Sequence, residues 1–346
     1  METKIKTRTR TRSRTAAPAA PATRIYVENT LARAEGELAR DGIFLVTDEN
    51  VVGCYSNILD LDGVPRYVMR AGEGAKALRT VEEIVSAMLA AGCGRKTRLV
   101  ALGGGVVGDT AGFAAACFMR GIEWVNIPTT LLSQVDSGVG GKTGVNIGAY
   151  KNMAGAFHAP RKVIICTDFL GTLPESEWLS GIGEIIKTAI LDAPMWDFVY
   201  KNRLLLKRRD LRLTERLVKM CADFKDGITR RDFREEGLRK ILNLGHTIGH
   251  ALETLDNYKL PHGEYVMRGI MREAEIFEPD IDPSFLAAVR EVIGTVLEGR
   301  PDPYIKYDKL LIDKACRKDK KNSDGKIAFV VPLAVGVQEV RERENL

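Results

Sequence analysis

The stretch that decides the fold is residues 97–117, which reads TRLVALGGGVVGDTAGFAAAC. Its first part, Thr97 to Leu102, is a short apolar run typical of a buried β-strand. The run leads directly into three glycines, and the small residues from Thr110 to Cys117 predict a helix. A strand, a glycine turn and a helix in this order favour an α/β fold with an anion site at the turn.

Similar apolar runs occur on both sides of this stretch. Gly42–Thr47, Trp124–Ile127 and Val163–Cys166 each end in polar residues, and Val81–Ala91 has helical spacing. Strands that alternate with helices predict a parallel sheet. From about residue 174 long helical stretches dominate, namely Glu175–Leu191, Trp196–Phe224 and Arg239–Leu255.

The predicted organisation is therefore a tail, an α/β domain and a helical domain. The tail covers residues 1–23, and the α/β domain covers residues 24–173, with a Rossmann-like but non-standard parallel sheet. The mainly α-helical domain covers residues 174–346. The glycine spacing is not the G-x-G-x-x-G of a standard Rossmann unit.

Charge and cysteine content restrict the class of protein. The net charge is +5, but the acid-free segment Lys4–Arg14 carries much of it. We interpret this segment as a solvated tail, with a transit peptide or a nucleic-acid arm as alternatives. The remainder is close to neutral, which argues against nucleic-acid binding by the folded body. The six cysteines form no C-x-x-C pair, which indicates reduced thiols in a reducing compartment. No apolar run reaches the ~20 residues of a membrane span.

Glycine-rich segments supply the candidate anion sites. At Gly103–Asp109, backbone N–H groups can face a phosphate because no side chain intervenes. The alternative is a tight turn without a ligand. Pro128-Thr129-Thr130 ends the next strand and is expected at the same edge of the sheet. The segment Asp136–Asn146 combines glycines with Lys142, which suits an anion, although a solvated loop would have a similar composition.

Three of the four histidines, His246, His250 and His262, fall within seventeen residues. Positions four apart share a helix face, so the spacing predicts that His246 and His250 both bind zinc. The spacing does not choose the accompanying carboxylate, for which Glu184, Glu253 and Glu264 are candidates.

Together these motifs resemble the 3-dehydroquinate synthase family over about residues 42–335. The segments that carry the resemblance are GGGVVGDTAGF, IPTTLLSQVDSGVGGKTGVN, KNMAGAF, GEIIKTA, NLGHTIGHALE and HGE. Three segments differ from the family pattern: Ile147–Tyr150 before Lys151, Tyr265–Gly269 after the HGE motif, and the segment after Glu275, which is short.

The resemblance implies an NAD-dependent lyase with zinc or cobalt. It implies that Glu184, His246 and His262 hold the metal and that His250 lies beside the substrate instead. The implied NAD contacts are Glu73, Lys76, Gly105, Val106, Val107, Gly108, Asp109, Thr129, Thr130, Lys142, Lys151, Phe169, Leu170, Gly171 and Thr172. The implied substrate-side residues are Arg120, Asp136, Lys142, Asn152, Lys187, Lys225, Arg239, Asn243, His250 and Lys320.

The implied reaction converts a seven-carbon sugar-acid phosphate to 3-dehydroquinate and phosphate. It proceeds by transient oxidation with NAD, β-elimination, reduction and intramolecular aldol closure. The expected partners are this small substrate and a second copy of the chain, with no nucleic acid and no membrane, in the cytoplasm.

Three rival functions remain open. Other sugar phosphate cyclases act on sedoheptulose 7-phosphate, on glucose 6-phosphate or on the amino analogue of the substrate. The set Lys225, Arg239, Asn243 and His250 favours a substrate with a carboxylate, but it does not exclude the amino analogue. The second rival is a metal-dependent alcohol dehydrogenase, which would release NADH. The third is a non-catalytic protein that binds through the basic tail.

Overall fold

The computed structural model describes residues 23–148, 150–302, 308–317 and 326–346. The tail predicted over residues 1–23 therefore lies outside the described residues, apart from Thr23, and so does Lys320. The strands are β1 Arg24–Glu28, β2 Ile43–Asp48, β3 Arg66–Met69, β4 Arg98–Gly103, β5 Trp124–Pro128, β6 Lys142–Ile147, β7 Tyr150–Phe157, β8 Lys162–Cys166, β9 Ile327–Ala334 and β10 Val337–Arg343.

The helices fall into two groups along the chain. Between the strands lie α1 Ala32–Leu38, α2 Glu49–Tyr55, α3 Leu78–Ala90 and α4 Gly105–Cys117. After the sheet come α5 Glu175–Leu191, α6 Ala193–Lys201, α7 Arg203–Lys207, α8 Leu211–Arg231, α9 His246–Leu255, α10 His262–Ile276, α11 Pro283–Val296 and α12 Lys309–Arg317.

The main sheet has six strands in the order β1-β8-β5-β4-β2-β3, and all its pairings are parallel. Side chains of β2 alternate between its faces. Phe44 and Val46 pack in a core cluster with α3 and α4, whereas Ile43 and Leu45 pack in a second cluster with α1 and α2. The predicted α/β fold with a parallel sheet is confirmed, and both faces of the sheet are covered, as is usual for parallel sheets.

The helices after residue 174 enclose a third, larger core cluster, so the predicted helical region is also confirmed. It includes the antiparallel hairpin β9–β10, which the sequence analysis did not predict. The exact division into domains at residues 173 and 174 stays a prediction. Within the described residues, no helix is both long enough and apolar enough to cross a membrane.

Several element boundaries differ from the prediction for local reasons. The helix predicted over Trp196–Phe224 is divided into α6, α7 and α8. Arg209 has a left-handed φ of 60°, and the Asp210 carboxylate accepts a hydrogen bond from the N–H of Leu213 at 2.8 Å, which starts a new helix. The stretch Arg239–Leu255 is also divided, because Gly245 has a φ of 73°.

The glycine-rich segment Asp136–Asn146 is ordered structure rather than a solvated loop. A π-helical turn, Ser133–Ser137, is followed by β6, which forms an antiparallel hairpin with β7. The hairpin packs against α4 at Gly112, where a Cβ atom would overlap the side chain of Thr143. The Gly/Lys motif is thus held against the glycine-rich helix.

Glycines also set the distance between α5 and α10. A Cβ atom on Gly183 would overlap the carbonyl oxygen of Gly263, and a Cβ atom on Gly263 would overlap the carbonyl oxygen of Leu179. The two helix backbones therefore touch directly. Since Glu184 follows Gly183 and His262 precedes Gly263, this contact also sets how closely these two side chains approach.

We predict that Gly183→Ala lowers the free energy of unfolding by roughly 1–3 kcal/mol, because an overpacked helix contact has no room to relax. Gly227→Ala is the matched control. Gly227 lies on α8, and a Cβ atom there would have nothing within 4 Å, so alanine at this position should raise stability by about 0.5–1 kcal/mol. Urea unfolding of both variants checks this, and equal stability of the two proteins would contradict it.

Candidate active site

The glycine turn lies at the carboxyl end of β4, beside the carboxyl end of β5. Gly103 pairs with Pro128 across the two strands, and the N–H of Thr129 donates to the carbonyl oxygen of Gly103 at 3.0 Å. The two polar strand ends predicted to share one edge of the sheet do lie together. This edge is where open α/β sheets bind ligands.

Helix α4 begins at Gly105, five residues earlier than predicted, and no side chain caps its N-terminus. Its first N–H groups are therefore available to an anion. A Cβ atom on Gly104 would lie 3.0 Å from Thr130 Cγ2, and one on Gly105 would lie 3.0 Å from Ser137 Oγ. A side chain at either position would thus crowd a neighbouring side chain and the turn itself.

Among the residues expected to contact the cofactor, some can present charged side chains and others only backbone groups. Lys76 Nζ lies 2.6 Å from Asp109 Oδ2 beside the start of α4. Burial raises the pKa of Asp109, and the charge of Lys76 counteracts this. Phe169 and Leu170 have side chains buried in two different core clusters, so only their backbone can face a ligand. Gly171 and Thr172 complete the same turn, and Tyr55 Oη lies 2.8 Å from Thr172 Oγ1.

Buried cations surround the carboxylate of Asp136. Lys225 Nζ lies 2.6 Å from Asp136 Oδ1, and Lys187 Nζ lies 3.6 Å from the same oxygen. Arg239 donates to the carbonyl oxygens of Gly140 at 3.0 Å and Phe233 at 2.8 Å.

All three cations are at most 7% exposed. Burial lowers the pKa of Lys225 despite Asp136. Burial would also lower the pKa of Lys187, but Asp136 and Glu184 together raise it. Buried charges whose pKa values are shifted in this way mark a candidate functional site.

A second polar group joins the hairpin to the loop before α9. Lys142 forms an ion pair with Glu235, and Asn243 Nδ2 donates to Glu235 Oε1 at 3.2 Å. Glu235 is not among the residues predicted from the sequence. Its backbone is left-handed, with a φ of 60°, which is unusual for a residue other than glycine and marks a constrained position. An acidic residue in a charged loop gives no signal of this kind in the sequence.

Glu184, in the middle of α5, meets His246 and His262, which are the first residues of α9 and α10. Both Nε2 atoms approach Glu184 Oε1, at 3.4 Å from His246 and 3.2 Å from His262. The ligand atoms of the three residues lie within 4.8 Å of one another. Glu184 is fully buried. Its carboxylate forms an ion pair with Lys187, yet neither oxygen has a hydrogen-bond partner among the described residues. A buried, unsatisfied carboxylate oxygen facing two imidazole nitrogens fits a divalent metal.

The ring of His246 is oriented by the backbone. Its Nδ1 lies 3.0 Å from the carbonyl oxygen of Leu244, which can only accept, so Nδ1 carries the proton and Nε2 presents its lone pair. His262 Nδ1 lies 3.5 Å from Glu253 Oε1. Burial would lower the pKa of His262, but Glu184 and Glu253 raise it to about 9. The site therefore attracts positive charge, as a metal-binding site does.

His250 lies on the same helix face as His246, and their ring centroids are 5.0 Å apart. The possible metal ligands nevertheless form two groups. Glu184 is grouped with His246 and His262, whereas His250 is grouped with Glu253 and His262. His246 and His250, the ligand pair chosen from spacing alone, thus lie side by side but belong to different groups of possible ligands. One helical turn moves His250 away from Glu184, while His262 reaches Glu184 from α10.

The remaining expected residues lie at different places. Asn152 is exposed on β7 with a φ of 55°. Lys151 lies 4.0 Å from the ring centroid of Tyr258 and 3.6 Å from Glu253 Oε1. Arg120 is exposed at the end of the short 3-10 helix Phe118–Arg120, which follows α4.

Comparison with known proteins identifies the family of this chain. A family model for the 3-dehydroquinate synthase N-terminal region matches residues 66–180, and one for the C-terminal region matches residues 181–322. The chain is 44% identical over 310 residues to 3-dehydroquinate synthase of Alkaliphilus metalliredigens strain QYMF, covering 87% of this chain and 86% of the relative.

Two solved structures share the fold. One is 2-epi-5-epi-valiolone synthase from Streptomyces hygroscopicus subsp. jinggangensis 5008 with NAD+ and Zn2+ bound, with a TM-score of 0.82, 25% identity and coverage of 96% of this chain and 95% of the other. The second is 2-deoxy-scyllo-inosose synthase complexed with carbaglucose-6-phosphate, NAD+ and Co2+, with a TM-score of 0.80, 25% identity and coverage of 93% and 91%. From the family models and the identity to the Alkaliphilus protein, the chain belongs to the 3-dehydroquinate synthase family.

Proposed function

We propose that this protein is a 3-dehydroquinate synthase that uses NAD and a divalent metal, zinc or cobalt. It converts 3-deoxy-D-arabino-heptulosonate 7-phosphate to 3-dehydroquinate and inorganic phosphate. The observation that carries this proposal is the buried junction at Lys187. This lysine contacts Glu184, one of the three proposed metal ligands, and Asp136, the carboxylate that the buried cations surround. One substrate can therefore reach both the metal ligands and the buried cations.

The metal is assigned to Glu184, His246 and His262. The unsatisfied carboxylate and the converging imidazoles support this assignment, and two solved cyclases that share the fold contain Zn2+ or Co2+. NAD is assigned to the uncapped N-terminus of α4 and its surroundings. When bound, NAD supplies reversible hydride transfer and the metal supplies Lewis-acid polarisation of substrate oxygens.

The substrate carries a carboxylate and a phosphate, and the chain offers several cations for them. Lys187, Lys225 and Arg239 are buried and already desolvated, so an anion that joins them adds charge-assisted hydrogen bonds. Lys142 and Asn243 share Glu235 as a partner, and we assign them to the outer part of the same site. Arg120, Asn152 and Lys320 complete the proposed set.

His250 is assigned to proton handling beside the substrate. It lies next to His246, but it does not belong to the group of possible ligands formed by Glu184, His246 and His262. Its imidazole is suited to move a proton near neutral pH. Proton transfer is needed because β-elimination removes a C–H proton as phosphate leaves. A homodimer and a cytoplasmic location stay predictions, and light scattering would check the first.

We predict that the purified protein, supplied with the seven-carbon substrate, NAD and zinc, releases phosphate and forms 3-dehydroquinate in equal amounts. NADH should not accumulate, because the hydride returns to the intermediate. Phosphate assay, mass spectrometry and NADH absorbance test this together. Accumulating NADH would favour a dehydrogenase. Turnover only with sedoheptulose 7-phosphate, glucose 6-phosphate or the amino analogue would reassign the protein to another cyclase.

We predict different losses for two neighbouring histidines. His246→Ala should lose bound metal, because only two ligands remain. His250→Ala should retain near-stoichiometric metal and lose turnover by roughly 10²–10⁴-fold, as expected for a proton-transfer group. Metal analysis after dialysis, followed by kinetics with added zinc, separates the two outcomes.

The fourth histidine provides the control for these two variants. His158 contacts the carbonyl oxygen of Ile122 and stacks on Trp124, outside the metal-type groups, so His158→Gln should keep both metal and turnover. Recovery of His250→Ala activity by excess zinc would identify His250 as a ligand and refute the assignment.

A further inference from the structure

The side chain of Asn146 connects two parts of the proposed site. Asn146 lies on β6, and its Nδ2 donates to Glu73 Oε1 at 2.8 Å. Its Oδ1 accepts a hydrogen bond from the backbone N–H of Asn152 at 2.9 Å. The same carboxamide therefore donates to Glu73, which is expected to contact the cofactor, and accepts from Asn152, which is expected to contact the substrate. Neither the sequence motifs nor the proposed mechanism assigns this residue a role.

The backbone of Asn146 fixes where this carboxamide lies. Its N–H donates to the carbonyl oxygen of Lys76 at 2.9 Å, and Ala77 and Asn146 form an isolated parallel bridge. This bridge docks the hairpin beside the segment that carries Glu73 and Lys76. Because it uses main-chain atoms only, it persists when the side chain of Asn146 is changed. A substitution at this position therefore probes the two side-chain bonds without undocking the hairpin.

The second bond holds an irregular part of β7. The register of the hairpin shifts between Val145 and Ile147, so β7 carries extra residues opposite Asn146. Among these, Asn152 has a left-handed φ of 55°. Bulges of this kind redirect side chains, and asparagine is one of the few residues besides glycine that adopt the left-handed conformation readily. The bond from the Asn152 N–H to Asn146 holds the backbone of this bulge, next to Lys151.

We propose that Asn146 is a positioning residue that sets two features of the site with one amide: the orientation of Glu73 toward the cofactor, and the bulge that presents Lys151 and Asn152. This inference rests on the proposed function, because the roles of Glu73 and Asn152 come from it. It extends that function by linking cofactor binding to the geometry of the substrate side through a single side chain.

Two substitutions separate the two bonds. Asn146→Asp keeps an oxygen that accepts from the Asn152 N–H, but it replaces the donor to Glu73 with a second negative charge. We expect NAD affinity to fall about tenfold while the KM for the substrate stays within about twofold. Asn146→Ala removes both bonds, so the KM for the substrate should also rise, by about tenfold. If Asn146 only stabilised the fold, the NAD affinity and the KM for the substrate would change together in both variants.

The measurements are NAD titration by calorimetry without substrate, steady-state kinetics at saturating NAD, and thermal unfolding. Asn57→Ala, at an exposed position on another part of the surface, is the matched control and should leave all three unchanged. The proposal is overturned if Asn146→Asp binds NAD as tightly as the unmodified protein, or if the two variants have the same KM for the substrate.

The two proposals fail in different ways. If the unmodified protein binds NAD but forms no 3-dehydroquinate, the proposed function is wrong. The NAD titration still decides whether Asn146 orients Glu73, and unchanged affinity in both variants would refute the positioning role on its own. If turnover is normal and neither variant changes either quantity, only the positioning role is wrong.

Discussion

The direct backbone contact between α5 and α10 is the constraint on which the candidate site depends. Gly183 and Gly263 have no room for a Cβ atom, and they stand next to Glu184 and His262 in the sequence. Because the helices touch at this point, a short carboxylate and an imidazole can meet without long, flexible side chains. The same contact buries Glu184 completely, and this burial makes its unsatisfied oxygens a strong attraction for a cation.

Burial of charge is the second feature that organises the site. Lys187 is held between Glu184 and Asp136, and Lys225 contacts Asp136 as well. Such groups are costly to bury, and well-packed apolar residues of the same size are often at least as stabilising. Stability alone therefore does not explain their presence in the core. The large apolar cluster of the helical region stabilises the fold and so offsets the free-energy cost of burying these charges.

The β6–β7 hairpin connects the two halves of the site. It packs on α4 through Thr143, contacts the segment before α3 through Asn146, and reaches Glu235 through Lys142. Lys151 extends from the same hairpin toward Glu253, which in turn lies beside His262. Cofactor-side and metal-side groups are thus joined by one two-stranded element. Two-stranded ribbons are marginally stable alone, so these contacts hold it in place.

The sequence by itself determined the fold class, the glycine turn, the histidine cluster and the family, because these depend on local pattern and on motifs that are contiguous in the chain. The family resemblance implied that His246 and His262 meet Glu184, but helical spacing did not, and only the tertiary structure shows these three side chains together. Helical spacing states which side chains share a face, but the partner on another helix depends on how the helices pack. For the same reason Glu235 and Asn146 were not predicted. Their partners lie far away in the chain, and their roles arise from backbone conformations and contacts that exist only once the hairpin, α9 and the sheet are assembled.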